Sequence, residues 1–338
     1  MQEEVNKAPL PILHYEVDAW TCKVSGRKFL GFHVHYVNSE LELKNALLSV
    51  KHYAPSQEAL QKEKTAKVLL KIFESTLDEF GLTPYNLASG TTDSDSDIKA
   101  LSVNGLLAQY GVLWDWCPCH LAVKAAEQAF GVSVDPAKSQ NPDARDLLKL
   151  VIKVVEKLNK SPNLKAKFDD LQADMLNELF KIIKHAPQRW LSLVRTLERI
   201  IRLWHVLRKL YLDEEKPFPL GEGSNKEGIL QLYSLLKPVC EITRDGPFGS
   251  APMTADIHMK FGKLKMDVLD IQKELKVYAK GDLPFKMVKP GDLHPVASRT
   301  RAELSKAFVS RLYGRVWDSS TPDPSFFRDA SILLTPPF

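Results

Sequence analysis

The segment NLASGTTDSDSDIKAL (residues 86–101) places Asp93, Asp95 and Asp97 at alternate positions, after a run of small residues and before a helix-like stretch. Carboxylates this close repel one another unless water or a metal ion compensates their charge. The spacing does not fit an EF-hand calcium loop, because its glycine and glutamate positions hold an isoleucine and an asparagine. Two interpretations remain: part of a metal-dependent nuclease site, or a solvated turn. For Asp95 or Asp97 the pattern favours a cap at the N-terminus of a helix.

A second group of reactive side chains lies in the run Cys-Pro-Cys-His, residues 117–120. A structural zinc site needs four ligands, and the sequence has no second paired cluster to complete one. The run therefore predicts a partly buried thiol and a hydrogen-bonded histidine at the end of a strand. The chain has 4 cysteines, which fits a reducing compartment better than a disulfide framework.

Basic residues recur at helical spacing between residues 189 and 209. At 100° per residue they cluster on one side of a helix, and apolar residues cover the opposite side. Two interpretations stay open: a solvated outer face, or a surface that contacts phosphates. The basic stripe comprises Arg195, Arg199, Arg202 and Lys209; the apolar face comprises Trp190, Leu193, Leu197, Ile201 and Trp204.

The bulk composition is that of an ordinary globular chain: 338 residues, 44% hydrophobic and 26% charged, with a net charge of +4. A mildly basic balance permits a polyanionic partner without requiring one. No apolar run approaches the length of a membrane span, and the N-terminal residues lack the pattern of a signal peptide. The sequence therefore predicts no membrane association.

Hydrophobic patterning predicts the element order β-β-β-α-β-α-β-α over residues 12–131. In FLGFHVHYV (residues 29–37) apolar and other residues alternate as in a half-buried strand. Gly81 and Gly131 stand where helices end. This is the element order of an RNase H-like fold, in which strands one and four are neighbours and their acidic residues share divalent metal ions.

Beyond a polar, proline-bearing edge at residues 133–145, the pattern becomes helical. We expect an RNase H-like α/β core at residues 1–132 and a mostly α-helical, insertion-type domain at residues 133–338. Apolar stripes predict helices over residues 146–160, 168–186, 189–212, 227–243, 253–280 and 299–317, and connections at residues 212–228 and 281–298.

Several landmarks, in order, resemble motifs of the hAT-superfamily transposases. VDAWTCKVSGRKFLGFHVHYV resembles that family's first two strands, which open on D-x-W-T. SGTTDSDSDIKAL is similar to its second acidic block, and CPCH to its C-x-x-H. RWLSLVRTLERI resembles its R-W-x-S…L-E-R helix, and LLKPVCEITR its L-x-P-x-x-x-x-T. DASILLTPPF is similar to a degraded A-x-x-L-D-P-x-F.

The resemblance implies an RNase H-like core interrupted by a large helical insertion. Asp18 and Asp93 would be two of the family's catalytic carboxylates and would hold Mg²⁺ or Mn²⁺. Trp20 and Trp190 match tryptophans that stack on a flipped base, and Cys117 falls near the same pocket. The residues expected at DNA are Trp20, Cys117, His120, Arg189 and Trp190, together with Arg195, Arg199, Arg202 and Lys209 of the basic stripe.

Two features of that family's pattern have no match in this sequence. They are the third carboxylate, a Glu that follows the helical insertion, and the zinc finger that precedes the core. We therefore expect a catalytically inactive, transposase-derived module that belongs to a zinc-finger protein, acts in the nucleus and requires no cofactor. Its expected partner is DNA or chromatin, bound with low sequence specificity, with protein partners or a dimer left open. Two alternatives stay open: a transposase fragment whose Glu lies downstream, and a protein-interaction scaffold without DNA binding.

Overall fold

The computed structural model describes residues 2–7, 12–22, 24–54, 65–93, 95–132, 139–185, 190–221, 223–245, 254–278 and 285–314. The described residues up to Leu121 form one compact unit, and those from Ala122 onward form a second. The sequence predicted the division at residue 132 instead. Within the described ranges, none of the helices combines the length and the apolar character that crossing a membrane requires.

The first unit has the element order that the sequence predicted over residues 12–131. Its strands are β1 (Leu13–Thr21), β2 (Lys28–Val37), β3 (Leu43–Tyr53), β4 (Leu87–Thr92) and β5 (Leu113–Trp116). Its helices are α1 (Gln2–Lys7), α2 (Thr65–Asp78), α3 (Ser96–Ala100, continued by a π-helical segment Leu101–Leu107 and by Ala108–Tyr110) and the first turn of α4 (Pro118–Phe130). Gly81 and Gly131, with φ of 68° and 67°, stand just beyond α2 and α4 as predicted.

The five strands form one mixed sheet in the order β3-β2-β1-β4-β5. The first three strands pair antiparallel, and β4 lies parallel to both β1 and β5. The prediction that strands one and four are neighbours is therefore confirmed. Parallel strands need a crossover connection, which here contains β2, β3 and α2.

One face of this sheet is the core of the first unit. Leu30, Phe32 and Val34 on β2 are fully buried, as the alternation predicted, and pack with the apolar sides of α2 and α3. The Phe73 ring of α2 lies 5.3 Å from the Phe32 ring. Opposite-facing residues of the same strands remain partly or fully exposed, so the second face of the sheet is available for polar groups.

Gly90 is required in β4 because the Tyr15 ring of β1 occupies the space above it. A Cβ atom at Gly90 would lie 2.0 Å from a carbon of that ring, well inside van der Waals contact. The glycine lets a large, fully buried tyrosine pack across the parallel pair β1–β4. The close approach of these two strands brings their C-terminal ends together.

The second unit is mostly helical. Its helices are α5 (Pro142–Lys160), α6 (Pro162–Leu176), α7 (Trp190–Arg202), α8 (Trp204–Asp213), α9 (Ser224–Asp245), α10 (Thr254–Asp267) and α11 (Pro295–Phe308, continued by a π-helical segment Val309–Tyr313), together with most of α4. It also contains a two-stranded antiparallel sheet of β6 (Leu275–Tyr278) and β7 (Phe285–Val288).

The predicted helix over residues 168–186 is wrong in its second half. Helix α6 ends at Asn177, which has a left-handed φ of 53°, a conformation that asparagine tolerates better than most residues. The following backbone is held by the buried Gln172, whose side-chain oxygen accepts a hydrogen bond from the Phe180 N–H at 2.9 Å. Residues 178–185 therefore leave the helix axis.

The predicted helix over residues 253–280 is confirmed for residues 254–267 and wrong at its end, because residues 275–278 form a strand. Leu275 and Val277 are buried while Lys276 is exposed, which is the two-residue period of a strand. The connection predicted over residues 281–298 contains β7 and the first turn of α11. Four residues of alternation are too few to stand out from the helical pattern that precedes them.

Arg301 on α11 ties that hairpin region to α10. Its guanidinium is buried and donates hydrogen bonds of 2.7–3.1 Å to the carbonyl oxygens of Asp267, Val268, Asp270 and Lys273. These carbonyls lie at and beyond the C-terminal end of α10, where helix oxygens lack partners. A positive charge at that end also complements the helix dipole.

Candidate functional site

The two carboxylates that the sequence singled out lie at the same end of neighbouring strands. The parallel register pairs Val17 of β1 with Thr92 of β4, so Asp18 and Asp93 are the next residues along both strands. Burial raises the pKa of the Asp93 carboxyl, and the negative charges of Asp18 and Asp95 raise it further. The register confirms the prediction that Asp18 and Asp93 lie side by side on neighbouring strands. Their mutual repulsion stays a prediction.

The other aspartates of the acidic block have structural partners. Asp95 caps α3, because its side chain accepts hydrogen bonds from the backbone N–H groups of Asp97 and Ile98, which confirms the predicted cap. Lys28 at the start of β2 lies 2.9 Å from Asp97 and 3.7 Å from Asp95. The Asp93 carboxylate accepts the Asp95 N–H at 2.9 Å, and the Asp93 carbonyl oxygen accepts the Thr92 hydroxyl at 3.2 Å.

The Cys-Pro-Cys-His run lies at the N-terminus of α4, beside the end of β4. The Cys117 N–H donates to the Thr92 carbonyl oxygen at 2.8 Å, and its own carbonyl accepts the first hydrogen bond of the helix, from Leu121. The Cys119 thiol and His120 lower the pKa of the Cys117 thiol, against the effect of burial. The predicted partly buried thiol is confirmed for Cys117.

His120 links this run electrostatically to the carboxylates. Its hydrogen bond with Cys117 raises the pKa of the imidazole, and the charges of Asp93 and Asp18 raise it further. The structure thus brings Asp18, Asp93, Cys117 and His120 to one edge of the sheet, although 102 positions separate the first from the last in the chain (18 to 120). We call this group the carboxylate edge.

The described residues of the carboxylate edge include no cluster of three metal ligands. Across the described ranges, no three His, Cys, Asp or Glu side chains are arranged to hold a metal ion together. Divalent magnesium and manganese favour several oxygen ligands in octahedral geometry, and two-metal chemistry depends on a shared set of carboxylates. Asp18 and Asp93 alone do not fit that requirement.

Trp20 belongs to a row of aromatic rings on the open face of the sheet. Its ring stacks on Phe29 of β2, with centroids 5.8 Å apart and an angle of 21° between planes, and Phe29 lies 5.5 Å from the His52 ring of β3. Trp20 is 40% exposed. It also lies over Gly31, where a Cβ would be only 3.1 Å from the indole.

The sequence missed a polar cluster on this same face. Glu16 lies two residues before Asp18 and 3.3 Å from the His35 imidazole, and His14 bonds to the Ser89 hydroxyl at 2.9 Å. Burial lowers the pKa of His14 to about 4, and the neighbouring His35 lowers it further, against the effect of Glu16. Alternation along β1 and β2 could have placed these residues on one face, but not their partners in β4.

The basic stripe of the second unit is divided. Arg195, Arg199 and Arg202 lie on α7, whereas Lys209 lies on α8, beyond an irregular Leu203 (φ −95°, ψ 11°). The single helix predicted over residues 189–212 is thus wrong. On the apolar side Leu193, Leu197 and Trp204 are buried, which confirms the predicted helix core.

The segment after α6 occupies part of the stripe. The guanidinium carbons of Arg199 and Arg202 lie 4.9 Å and 3.7 Å from the Phe180 ring centroid, and Arg202 pairs with Glu178 at 3.2 Å. Lys209 pairs with Asp213 at 2.6 Å. Arg195 remains exposed, so the stripe offers fewer available cations than the helical projection indicated.

The structure describes no side chain for two of the residues predicted to contact DNA. Arg189 lies outside the described residues, and for Trp190 the structure describes only the backbone at the start of α7. The motif DASILLTPPF also lies outside them. Trp114 and Trp116 form an edge-on pair with centroids 4.6 Å apart, and Trp114 donates to the Thr92 hydroxyl at 2.9 Å.

Comparison of the sequence with protein-family models and with curated proteins gives no match.

Proposed function

We propose that this protein is a non-enzymatic nucleic-acid-binding module, descended from a hAT-superfamily transposase, with an RNase H-like first unit. It acts in the nucleus on DNA or chromatin and recognises unpaired bases rather than a base sequence. The order β3-β2-β1-β4-β5, with carboxylates at the ends of β1 and β4, supports the descent. The resemblance of the motifs supports it independently.

The observation that carries the proposal is the aromatic row. Trp20, Phe29 and His52 come from three adjacent strands, and their rings follow one another across the open face at 5.8 Å and 5.5 Å. Aromatic rings on an exposed sheet face stack on bases in many single-strand binders, at about 1–3 kcal/mol per base. A base extruded from a duplex loses its stacking neighbours, and an exposed indole replaces them.

This face favours base stacking over phosphate contact and over cleavage. Asp18 and Asp93 repel phosphates at the strand ends, and the His120 imidazole, whose pKa is raised by Cys117, offsets part of that charge. With two carboxylates the edge lacks the ligand set for two-metal phosphodiester chemistry. Base stacking does not need that chemistry, because every base presents a π face whatever its sequence.

The test is fluorescence anisotropy with labelled DNA. We expect Trp20→Ala to weaken binding to a duplex containing unpaired bases by about tenfold, the loss of one stacking contact of about 1.4 kcal/mol. Binding to a fully paired duplex should hold within about twofold, because phosphate contacts do not require the indole.

The matched control is Tyr85→Ala. Tyr85 is 79% exposed and lies just before β4 begins, at the opposite end of the strand from Asp93. It should leave both affinities unchanged. Equal affinity of wild type for paired and unpaired DNA, or equal losses in the two variants, would reject base stacking at Trp20. Absence of DNA binding even at low salt would leave the protein-interaction scaffold as the better explanation.

A further inference from the structure

A cleft of about 840 Å³ opens in the second unit between helices α9 and α10 and strand β6. Its floor is apolar, because Ile242 of α9, Leu264 of α10 and Leu275 of β6 are all buried. A volume of this size lies within the range of about 300–1,000 Å³ that small-molecule sites occupy. The described residues that line it belong neither to the carboxylate edge or the aromatic row nor to the basic stripe. We call it the α9–α10 cleft.

The α9 wall of the cleft contains a proline inside the helix. Pro238 has no N–H, so it cannot donate the helical hydrogen bond to the Ser234 carbonyl oxygen one turn earlier. The Ser234 hydroxyl is engaged, because it donates to the Leu230 carbonyl oxygen at 2.8 Å and accepts the Tyr278 N–H at 3.0 Å. The second of these bonds fixes β6 against α9. The wall is therefore held by specific contacts and includes a carbonyl oxygen without its usual helical donor.

Positive charge predominates among the side chains that line the cleft. The basic ones are Arg244, Lys260, Lys263, Lys273 and Lys276, and the acidic ones are Glu241, Asp267 and Glu274. Within the described ranges neither Lys263 nor Lys273 forms an ion pair, and both are exposed. Glu241 pairs at 3.6 Å with Lys237, which is not a lining residue. Two lysines are therefore available to an anionic group above the apolar floor.

The C-terminal end of α10, which also lines the cleft, does not cancel this charge. Carbonyl oxygens at the end of a helix carry partial negative charge and disfavour an anion nearby. Here the buried Arg301 guanidinium donates to the carbonyl oxygens of Asp267 and Val268, at 3.1 Å and 2.7 Å. A full positive charge thus offsets the negative end of the helix.

We propose that the α9–α10 cleft binds an amphipathic organic anion, a small molecule with one apolar body and one phosphate, sulfonate or carboxylate group. The apolar body lies on the floor of Ile242, Leu264 and Leu275, because contact there removes apolar surface from water. The anionic group lies at Lys263 and Lys273, where it gains charge-assisted hydrogen bonds. An acyl chain with a carboxylate and an aromatic ring system with a phosphate share this chemistry. The site is separate from the base-stacking face, so its test does not depend on DNA binding.

The experiment titrates the full chain with 8-anilinonaphthalene-1-sulfonate, whose fluorescence rises when its rings leave water. We expect saturable binding, and the double variant Lys263→Gln/Lys273→Gln should raise the Kd at least about tenfold, because two contacts with the sulfonate are lost. The matched control is Lys181→Gln/Lys289→Gln. Both of these lysines are exposed and lie outside the cleft, so the control removes the same charge and should leave the Kd within about twofold of wild type.

A second variant tests the apolar part of the site without changing charge. Met287 of β7 lines the cleft and is 51% exposed, whereas Met266 of α10 is 59% exposed and lies outside it. Met287→Gln should raise the Kd about threefold, because a polar amide replaces an apolar contact, and Met266→Gln should not. Thermal melts check that all variants fold, which exposed positions permit.

Competition identifies the kind of apolar body. Dodecanoate carries an aliphatic body and adenosine monophosphate an aromatic one, and displacement of the probe by either supports the site. Inorganic phosphate at the same concentration should not displace the probe, because it has no apolar body. The proposal is overturned by an absence of saturable binding, by equal losses in the two lysine pairs, or by displacement with inorganic phosphate or duplex DNA rather than with either amphiphile.

Discussion

Asp93 differs from Asp95 and Asp97 in what neutralises its charge. Asp95 caps α3, and Asp97 pairs with Lys28 at 2.9 Å. Asp93 is partly buried beside Asp18 and accepts one backbone N–H; the charge of His120 also lowers its pKa, but burial leaves that pKa raised. An ionised carboxylate in such surroundings costs stability, whereas a capping or ion-paired one contributes to it.

The raised pKa of Asp93 predicts how Asp93→Asn affects folding. A carboxyl whose pKa is higher in the folded state destabilises the fold once it is ionised. Below the unfolded pKa of about 3.9 the free energy of unfolding is unaffected; it falls as pH rises through the folded pKa. Asparagine keeps the oxygen that accepts the Asp95 N–H. We expect the variant to be more stable than wild type at pH 7, by up to about 1 kcal/mol, with the difference vanishing toward pH 4. Thermal melts across this range measure it.

Asp97→Asn is the matched control, and its expected effect on stability is opposite to that of Asp93→Asn. It removes an ion pair with Lys28 and should lower the melting temperature slightly at pH 7. If both variants destabilise alike at neutral pH, the repulsion between Asp18 and Asp93 is not a feature of the folded protein.

At the scale of elements, helix α7 shows what a helical pattern in the sequence can and cannot predict. Projection at 100° per residue correctly separated a buried face containing Leu193 and Leu197 from a basic one. It could not show that residues after α6 turn back and set Phe180 and Glu178 against Arg199 and Arg202. A helix projection contains only its own residues, and the covering segment is identified by its contacts.

The pairing of Arg202 with Glu178 predicts that Glu178→Gln exposes a cation on the basic stripe. The variant should bind duplex DNA more tightly, and the slope of log affinity against log salt should steepen by up to about one unit, because one more phosphate contact releases a counterion. Anisotropy titrations over a salt series measure both quantities.

Asp174→Asn is the control for overall charge, since it changes the net charge by the same amount at an exposed position of α6. Equal gains in the two variants would mean that net charge alone acts, and that α7 has no contact with DNA.

At the scale of the whole molecule, the two units carry different chemistries. The first unit holds the carboxylate edge and the aromatic row, and the second holds the basic stripe. Each unit has its own buried core, the first around the face of β1 and β2 and the second among its helices. We therefore expect a surface substitution in one unit to leave the buried core of the other unit unchanged.

The carboxylate edge predicts that the protein does not cut DNA. Supercoiled DNA incubated with the full chain and Mg²⁺ or Mn²⁺ should remain intact, because two carboxylates do not supply the ligands that in-line displacement with two metals requires. Gel electrophoresis over several hours measures nicking. Nicking that disappears when Asp18 and Asp93 are both changed to Asn would show that the edge is an active site after all.

The sequence by itself determined the features that depend on near neighbours in the chain. Alternation along β2, the caps at Asp95, Gly81 and Gly131, and the apolar side of α7 follow from periods of two and about 3.6 residues and from the backbone preferences of single residues. These preferences operate within one turn or one strand, so they can be read without knowing the partner. The order of elements over residues 12–131 follows from them.

Only the tertiary structure decided which distant residues meet. The parallel register of β1 and β4 joins Val17 to Thr92 and brings Asp18 beside Asp93, and the Tyr15 ring packs over Gly90 in the same strand pair. The contact of Phe180 and Glu178 with α7, and the position of Cys117 beside Thr92, likewise depend on packing between different elements. Register and packing minimise the free energy of the whole fold, and no local period encodes them.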